Sequence, residues 1–507
     1  MSASVRRRYV TNTALYWFPV GLGVAPLVLL LSERGLTPAT VAALISAHSF
    51  TAAALELPTG GLSDVLGRRG VLAAAGLLMC AAFLLIGLGG TAALLGTGTG
   101  LLGAARALSS GPAEAWYVDS VRASQGPSAD LRTGLARGAT ASSVALAVGT
   151  VAGGALPWAL GGYAGELRTA TGGAVVPLSA PMLLAAVCAL ALTAHSLLAL
   201  REPPGHRETP GSVPGEPPAP GAHLGDVGGV PGGRPRPRGF PEGFRREPAG
   251  AGVENVPGGP PPRRPALGGV LRRRRAHLGR ATSDRRRLTL GGVLRDIPAT
   301  VRDGLRLAVR DGVVRRVMLS AAAAGSALAV VELLTPGRVA AFTGGAESGA
   351  VGYAGLATVG FLCSAGGSQA APLLGGGRRA VVVGTGVVAG ALGLLAAGGE
   401  PAGVVGYVVF YVTLGVLNPN LNELLHHRVP DDRRATALSV QSLALQLASG
   451  TTGLIIGPLA TDGALPWLVP LGAVLAVTLL WARPLRKVTS GQPVSPDGQE
   501  PRAVDLS

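Results

Sequence analysis

Twelve stretches of this 507-residue chain are long and apolar enough to be membrane-spanning helices, which excludes an ordinary soluble fold. A bilayer core takes about 20 apolar residues per helix. The stretches lie near residues 10–31, 39–59, 70–90, 92–117, 137–160 and 178–200, then 314–335, 349–371, 379–398, 402–421, 436–460 and 464–482. Only 14% of residues are charged, against about 25% in a soluble domain, so most of the surface is expected to face lipid. Glycine is abundant (78 residues) and aromatics are scarce (4%). Small residues let helix backbones approach closely, which is how helices associate where hydrophobicity gives no drive. The predicted fold class is an all-α membrane protein of two six-helix bundles.

The net charge of +16 is carried almost entirely by arginine, Lys487 being the one lysine. Alone, such a charge fits a nucleic-acid binder. Almost half of the basic residues fall between Arg201 and Arg310, however, between two apolar blocks. That placement fits a cytoplasmic loop facing anionic lipid headgroups, so no nucleic-acid partner is expected. Cytoplasmic loops carry the excess of Lys and Arg. With Arg6, Arg7 and Arg8 inside, the inner connections also hold Arg68, Arg69, Arg122, Arg132, Arg378, Arg379, Arg428, Arg433, Arg434, Arg483 and Arg486, whereas the outer ones hold Arg34, Arg168 and Arg338. Both termini are therefore expected in the cytoplasm. The bias of arginine over lysine fits a high-GC bacterial genome, and so a bacterial plasma membrane.

The chain divides accordingly. Residues 1–200 form a first bundle and 314–483 a second, with a tail over 484–507. Residues 201–290, with Pro260-Pro261-Pro262 and the run Arg272 to Arg275, offer too little apolar area to offset ordering entropy and read as a disordered basic linker. Over 291–313, Ile297, Val301, Leu305 and Val309 fall at four-residue spacing with arginines on another face, as in an amphipathic surface helix. Cys80, Cys188 and Cys363 each sit in an apolar stretch and read as packing residues, with no metal or disulfide spacing. The first apolar stretch carries Asn12 and no convincing cleavage site, so no signal peptide is expected. No cofactor and no metal site are expected.

After the second stretch comes Gly60-Gly61-Leu62-Ser63-Asp64-Val65-Leu66-Gly67-Arg68-Arg69. The glycines suit a tight turn, and Asp64 suits the positive N-terminal end of a neighbouring helix. Topogenic charge explains the arginines but not the aspartate at a fixed offset. This stretch resembles the loop signature of the major facilitator superfamily: Gly60, Asp64, Gly67, Arg68 and Arg69 match, and Val65 replaces a basic residue. Gly377-Arg378-Arg379 is a partial second copy in which Leu374 stands where the aspartate would. The resemblance covers the chain apart from the linker and the tail. It implies a transporter rather than an enzyme, and a cytoplasmic charge cluster that closes an inner gate, for which Asp119 joins Asp64, Arg68, Arg69, Arg378 and Arg379.

Charged groups inside apolar helices are expensive and mark pathways. Arg106 lies about 21 Å from the outer end of its helix at 1.5 Å per residue, past the midplane. It is a candidate for proton coupling, and a structural ion pair is the alternative. Glu56, Glu114 and Glu332 are further candidates, each able instead to pair with an arginine. His48 is a candidate proton carrier or a hydrogen-bonded packing residue. Trp116 and Tyr117 read as interface anchors. His426-His427 followed by Asp431-Asp432 reads as a charged turn, since adjacent histidines on a helix point about 100° apart. Gly149, Gly153 and Gly154, and likewise Gly453 and Gly457, read as helix-packing motifs.

The resemblance is to bacterial drug-efflux members of that superfamily. It implies a monomeric secondary transporter that exports a small lipophilic molecule in exchange for protons, through a mostly apolar cavity. Proton-independent uptake or facilitated diffusion is an alternative, as is a non-transporting scaffold or sensor. No nucleophile, base and orienting group occur together, which argues against an enzyme.

Overall fold

The computed structural model describes residues 2–126, 129–201, 306, 311–429, 434–460 and 463–484, without the side chains of 2, 57–61, 63–66 and 434–436. Among these residues the regular structure is entirely helical. The first half comprises α1 (Ser2–Val24), α2 (Pro26–Glu33), α3 (Pro38–Leu66), α4 (Arg68–Leu88), α5 (Ala92–Ser109), α6 (Pro112–Gln125), α7 (Arg132–Leu160), α8 (Ala164–Ala170) and α9 (Ala180–Leu198). The second comprises α10 (Gly312–Thr343), α11 (Ala346–Ala370), α12 (Gly377–Ala396), α13 (Glu400–Arg428), α14 (Arg434–Ile456) and α15 (Leu465–Ala482). The linker and nearly all of the expected amphipathic helix lie outside the described residues; Arg306 is helical.

Among the described residues ten helices are long and apolar enough to cross a bilayer, and the bent pair α1–α2, which turns 45° before Pro26, makes eleven. The twelfth expected stretch, 92–117, is divided. α5 carries Arg106 and four glycines and is not among those ten; it ends at Ser109, and Gly111 takes a left-handed φ of 90° before Pro112 opens α6. Proline suits the first helical position because its missing N–H would be unpaired there anyway. Helix starts are capped locally: the Thr37 and Thr91 hydroxyls accept from Thr40 N and Leu94 N, and Asp311 accepts from Val313 N and Val314 N.

The helix neighbours of the first half recur in the second. α1 packs on α7 and α9, α3 on α5, and α4 on α5 and α9; correspondingly α10 packs on α14 and α15, α11 on α13, and α12 on α13 and α15. The halves meet through α3 against α14 and α7 against α11. Helices alternate in direction, so the described chain begins and ends on one face, here the terminal face, which also carries the turns at Gly67 and Gly377. The opposite, distal face carries the turns at Gly35 and Gly344.

Two local expectations change. The signature is helical through Leu66, and the turn falls at Gly67 alone (φ 77°), with Gly377 likewise at positive φ (80°) before Arg378. Glycine carries no Cβ penalty there. The His426-His427-Arg428 block is not a turn but the last turn of α13, where His427 pairs with Glu423 four residues back at 3.7 Å. Asp431 and Asp432 lie outside the described residues.

Candidate functional site

A cavity of about 300 Å³ lies on the terminal-face side of the first half, between α1, α3, α5 and α6, with Ser442 of α14 on its wall. Tyr9, Asn12, Thr13, Tyr16, Trp17, Glu56, Arg106, Ser109 and Glu114 line it. The lining is apolar over the larger part of its area, as expected from sequence, but mixes charged and hydroxyl groups with aromatic rings. α1 supplies five of the polar and aromatic groups at helical spacing, which a scan for charged residues passes over.

Arg106 is the hub. It takes no part in the ion pairs found among the described residues, which are Arg68–Asp119, Arg168–Glu33 and His427–Glu423. Its charge instead acts on Tyr16, His48 and, from the second half, Glu332. Glu56 accepts a hydrogen bond from Ser110 Oγ at 3.2 Å. Ser110 stands at the break between α5 and α6, so the broken helix aims a donor at the carboxylate. His48 is half-buried, and its Nδ1 is buried without a protein hydrogen-bond partner. Glu332 is accessible within the bundle rather than packed away.

Around Glu332 stand three tyrosines that sequence reasoning missed: Tyr353 on α11, and Tyr407 and Tyr411 on α13. All three are buried, and the rings of Tyr407 and Tyr411 lie 4.8 Å apart. Gly360 makes the room, since a Cβ there would sit 2.7 Å from Tyr407 Cε1. An uncharged aromatic in an apolar helix carries no sequence signal beyond packing.

On the terminal face Arg68 pairs with Asp119 and donates to Ala115 O at 2.6 Å, tying α4 to α6 within the first half. Arg69 is exposed. The side chain of Asp64, and Gly60 beyond its helical backbone, lie outside what is described. Arg378 pairs with no carboxylate among the described residues and instead donates to the carbonyls of Trp481 and Ala482 at the end of α15. Trp116 and Tyr117, expected as interface anchors, are buried: Trp116 Nε1 donates to Arg201 O, and Tyr117 stacks on Tyr9.

The distal face is closed by small residues. A Cβ on Gly154 of α7 would sit 2.4 Å from Ala354 Cβ of α11, and one on Gly457 of α14 would sit 2.6 Å from Ala42 Cβ of α3. Gly453 packs on Ser46 and Gly450 on Phe50 along the same seam. Both glycine motifs thus lie at contacts between the halves, while Gly149 and Gly153 pack against α1 within the first half.

The sequence pattern of the Major Facilitator Superfamily matches residues 11–453. The chain belongs to the major facilitator superfamily. As a member it is a membrane transporter and not an enzyme. Solved structures of other superfamily transporters share its fold at low identity. A variant of the nucleoside transporter NupG aligns with a TM-score of 0.62 at 11% identity, covering 94% of this chain and 99% of the other. The inward-open xylose transporter XylE from E. coli aligns at 0.56 and 12% identity, covering 95% and 96%. A bacterial homologue of the human lysosomal transporter Spinster, inward-facing, also aligns at 0.56 and 12%, covering 95% of each chain. No curated protein sequence matches the chain.

Proposed function

We propose that this superfamily member is a proton-coupled secondary transporter of the bacterial plasma membrane, exporting a small lipophilic or amphipathic molecule by alternating access. The observation that carries the reading is the placement of opposite charges on the two halves: Arg106 with Glu56 on one side and Glu332 on the other, Arg106 and Glu332 within electrostatic reach. Protonating Glu332 removes its attraction to Arg106, so the energy of bringing the halves together depends on proton occupancy. With the terminal face in the cytoplasm, as the arginine distribution expects, the cavity opens inward and the glycine seams close the outer side. The polar, aromatic lining favours an amphipathic molecule over a purely lipophilic one. The Arg68–Asp119 pair, with Asp64, Gly60, Gly67 and Arg69, would act in the inner gate, and Arg378 and Arg379 in its counterpart.

The test is flux in proteoliposomes under an imposed proton gradient of either direction, over a panel of lipophilic and amphipathic compounds. At least one compound should be driven uphill. Glu332→Gln, which mimics the protonated acid, should retain exchange of compound for compound while losing dependence on the proton gradient and on pH. Absence of flux with every compound in both directions overturns export. Unchanged proton dependence in Glu56→Gln, Arg106→Gln and Glu332→Gln alike would favour proton-independent uptake or facilitated diffusion.

A further inference from the structure

We propose that the terminal-face corner formed by α10, α12 and α15 is a binding site for the headgroup of an anionic phospholipid, its phosphate held by Arg315, Arg379 and Arg483. The three are exposed; Arg315 and Arg379 each stand four residues from an exposed apolar side chain on their own helix, Leu319 and Val383, while Arg483 follows the last residue of α15 with extended backbone, just beyond the turn that carries exposed Leu479. Positions four apart share a helix face. α10 and α12 therefore each present an apolar surface at acyl-chain depth and a guanidinium one turn away from it, at headgroup depth, and Arg483 adds a third guanidinium where α15 ends. α15 packs against both α10 and α12, and the residues next to Arg315 and Arg379 reach its end, Arg316 lying over the Trp481 ring and Arg378 donating to Ala482 O, so the three arginines share one corner.

Behind this rim lies positive charge that no carboxylate among the described residues pairs with. Arg316 is 5% exposed; its guanidinium lies over the Trp481 ring at 5.7 Å, and its Nη1 is buried with no hydrogen-bond partner. The charged groups that act on it are Arg378 and Arg315, both cations. Arg378 spends its donors on backbone carbonyls. Two described carboxylates of the second half are engaged elsewhere: Asp311 caps α10, and Glu423 lies beside Gly376 and pairs with His427. A buried charge without a counterion is costly, and like charges around it raise that cost. An anion at the rim lowers it.

The first half shows the contrast. Arg68, at the position of Arg378, has Asp119 as its counterion, and Arg69 stands four residues from buried Ala73 rather than from a lipid-facing side chain. The second half has lost the aspartate of the signature and keeps the arginines. A lipid phosphate supplies the missing negative charge, and its acyl chains match the apolar faces below. A free phosphate would match the charge alone.

Native mass spectrometry and thermal unfolding of the full chain in nanodiscs test this. The compositions are phosphatidylcholine alone, phosphatidylcholine mixed with phosphatidylglycerol, and phosphatidylcholine with inorganic phosphate added. The native chain should retain phosphatidylglycerol over phosphatidylcholine and melt higher in its presence. Arg315→Gln, Arg379→Gln and Arg483→Gln combined should lower that preference by about tenfold or more, with the melting temperature in phosphatidylcholine unchanged as the control for folding. Arg6→Gln, Arg7→Gln and Arg8→Gln combined should keep the preference. Equal retention in the two triple variants overturns the site, because general basic charge would then explain it. Equal stabilisation by inorganic phosphate overturns the lipid assignment.

Discussion

Gly134 and Gly138, one turn apart on α7, show how much a single missing side chain decides. A Cβ on Gly138 would sit 2.4 Å from Tyr9 Cε1, and one on Gly134 would sit 1.8 Å from Tyr117 Oη. The two tyrosines stack at 4.7 Å in the space this leaves, beside the cavity that Tyr9 lines. Gly138→Ala should cost about 1–3 kcal/mol by overpacking, read as a lower melting temperature in detergent. Gly165→Ala, which meets nothing within 4 Å, should leave it unchanged. At this scale the sequence was informative about charge and silent about shape. Arg106, Glu56 and Glu332 stood out because ionised groups are rare at membrane depth. Tyr353, Tyr407 and Tyr411 did not, because nothing local distinguishes a tyrosine beside a carboxylate from one that merely packs.

Helices explain why the glycine motifs matter in pairs. On α7, Gly149 and Gly153 face α1 while Gly154 faces α11, so one short motif serves a permanent contact and a contact between halves. The sequence identified close packing but not the partner, since every candidate helix offers Ala and Gly. Gly154→Leu should wedge α7 from α11 and open the distal face. Spin–spin distances across that face should lengthen relative to the native chain, and an unchanged distribution would remove this seam from the closure. The signature likewise needed its neighbours: the two glycines at its start read as a turn, yet the helix continues to Leu66 and turns where Gly67 adopts φ 77°.

Across the whole molecule, the matching helix neighbours of the two halves account for two of the three arginines that the orientation rule disfavours on the distal face, Arg34 and Arg338. Arg34, after α2, donates to Gly87 O at the end of α4 and to Gly173 O and Ala174 O before α9. Arg338, near the end of α10, donates to Leu395 O at the end of α12 and lies over Trp467 at 4.8 Å. These are equivalent places in the two halves, each closing the C-terminal end of a corresponding helix. Arg168 pairs with Glu33. Such contacts hold each half together, so the halves are expected to move as units. Deleting 205–285 should accordingly preserve membrane insertion and proton-driven flux in proteoliposomes. Correct insertion with loss of function would favour a scaffold or sensor that works through that segment.

The sequence by itself determined the lipid-facing character, the series of apolar helices, the repeated arginine turns and the rare charges within the bilayer. Each of these is fixed by composition and spacing along one helix. Only the tertiary structure decided which charges of the two halves come within reach of each other, which glycines pack at the distal seams, and that Arg68 has a counterion while Arg378 has none among the described residues. Those outcomes depend on side chains far apart in the chain, carried on helices whose faces are nearly all Ala, Gly, Leu and Val. Periodicity cannot tell such faces apart, because packing against a particular neighbour and not local pattern sets which one turns inward.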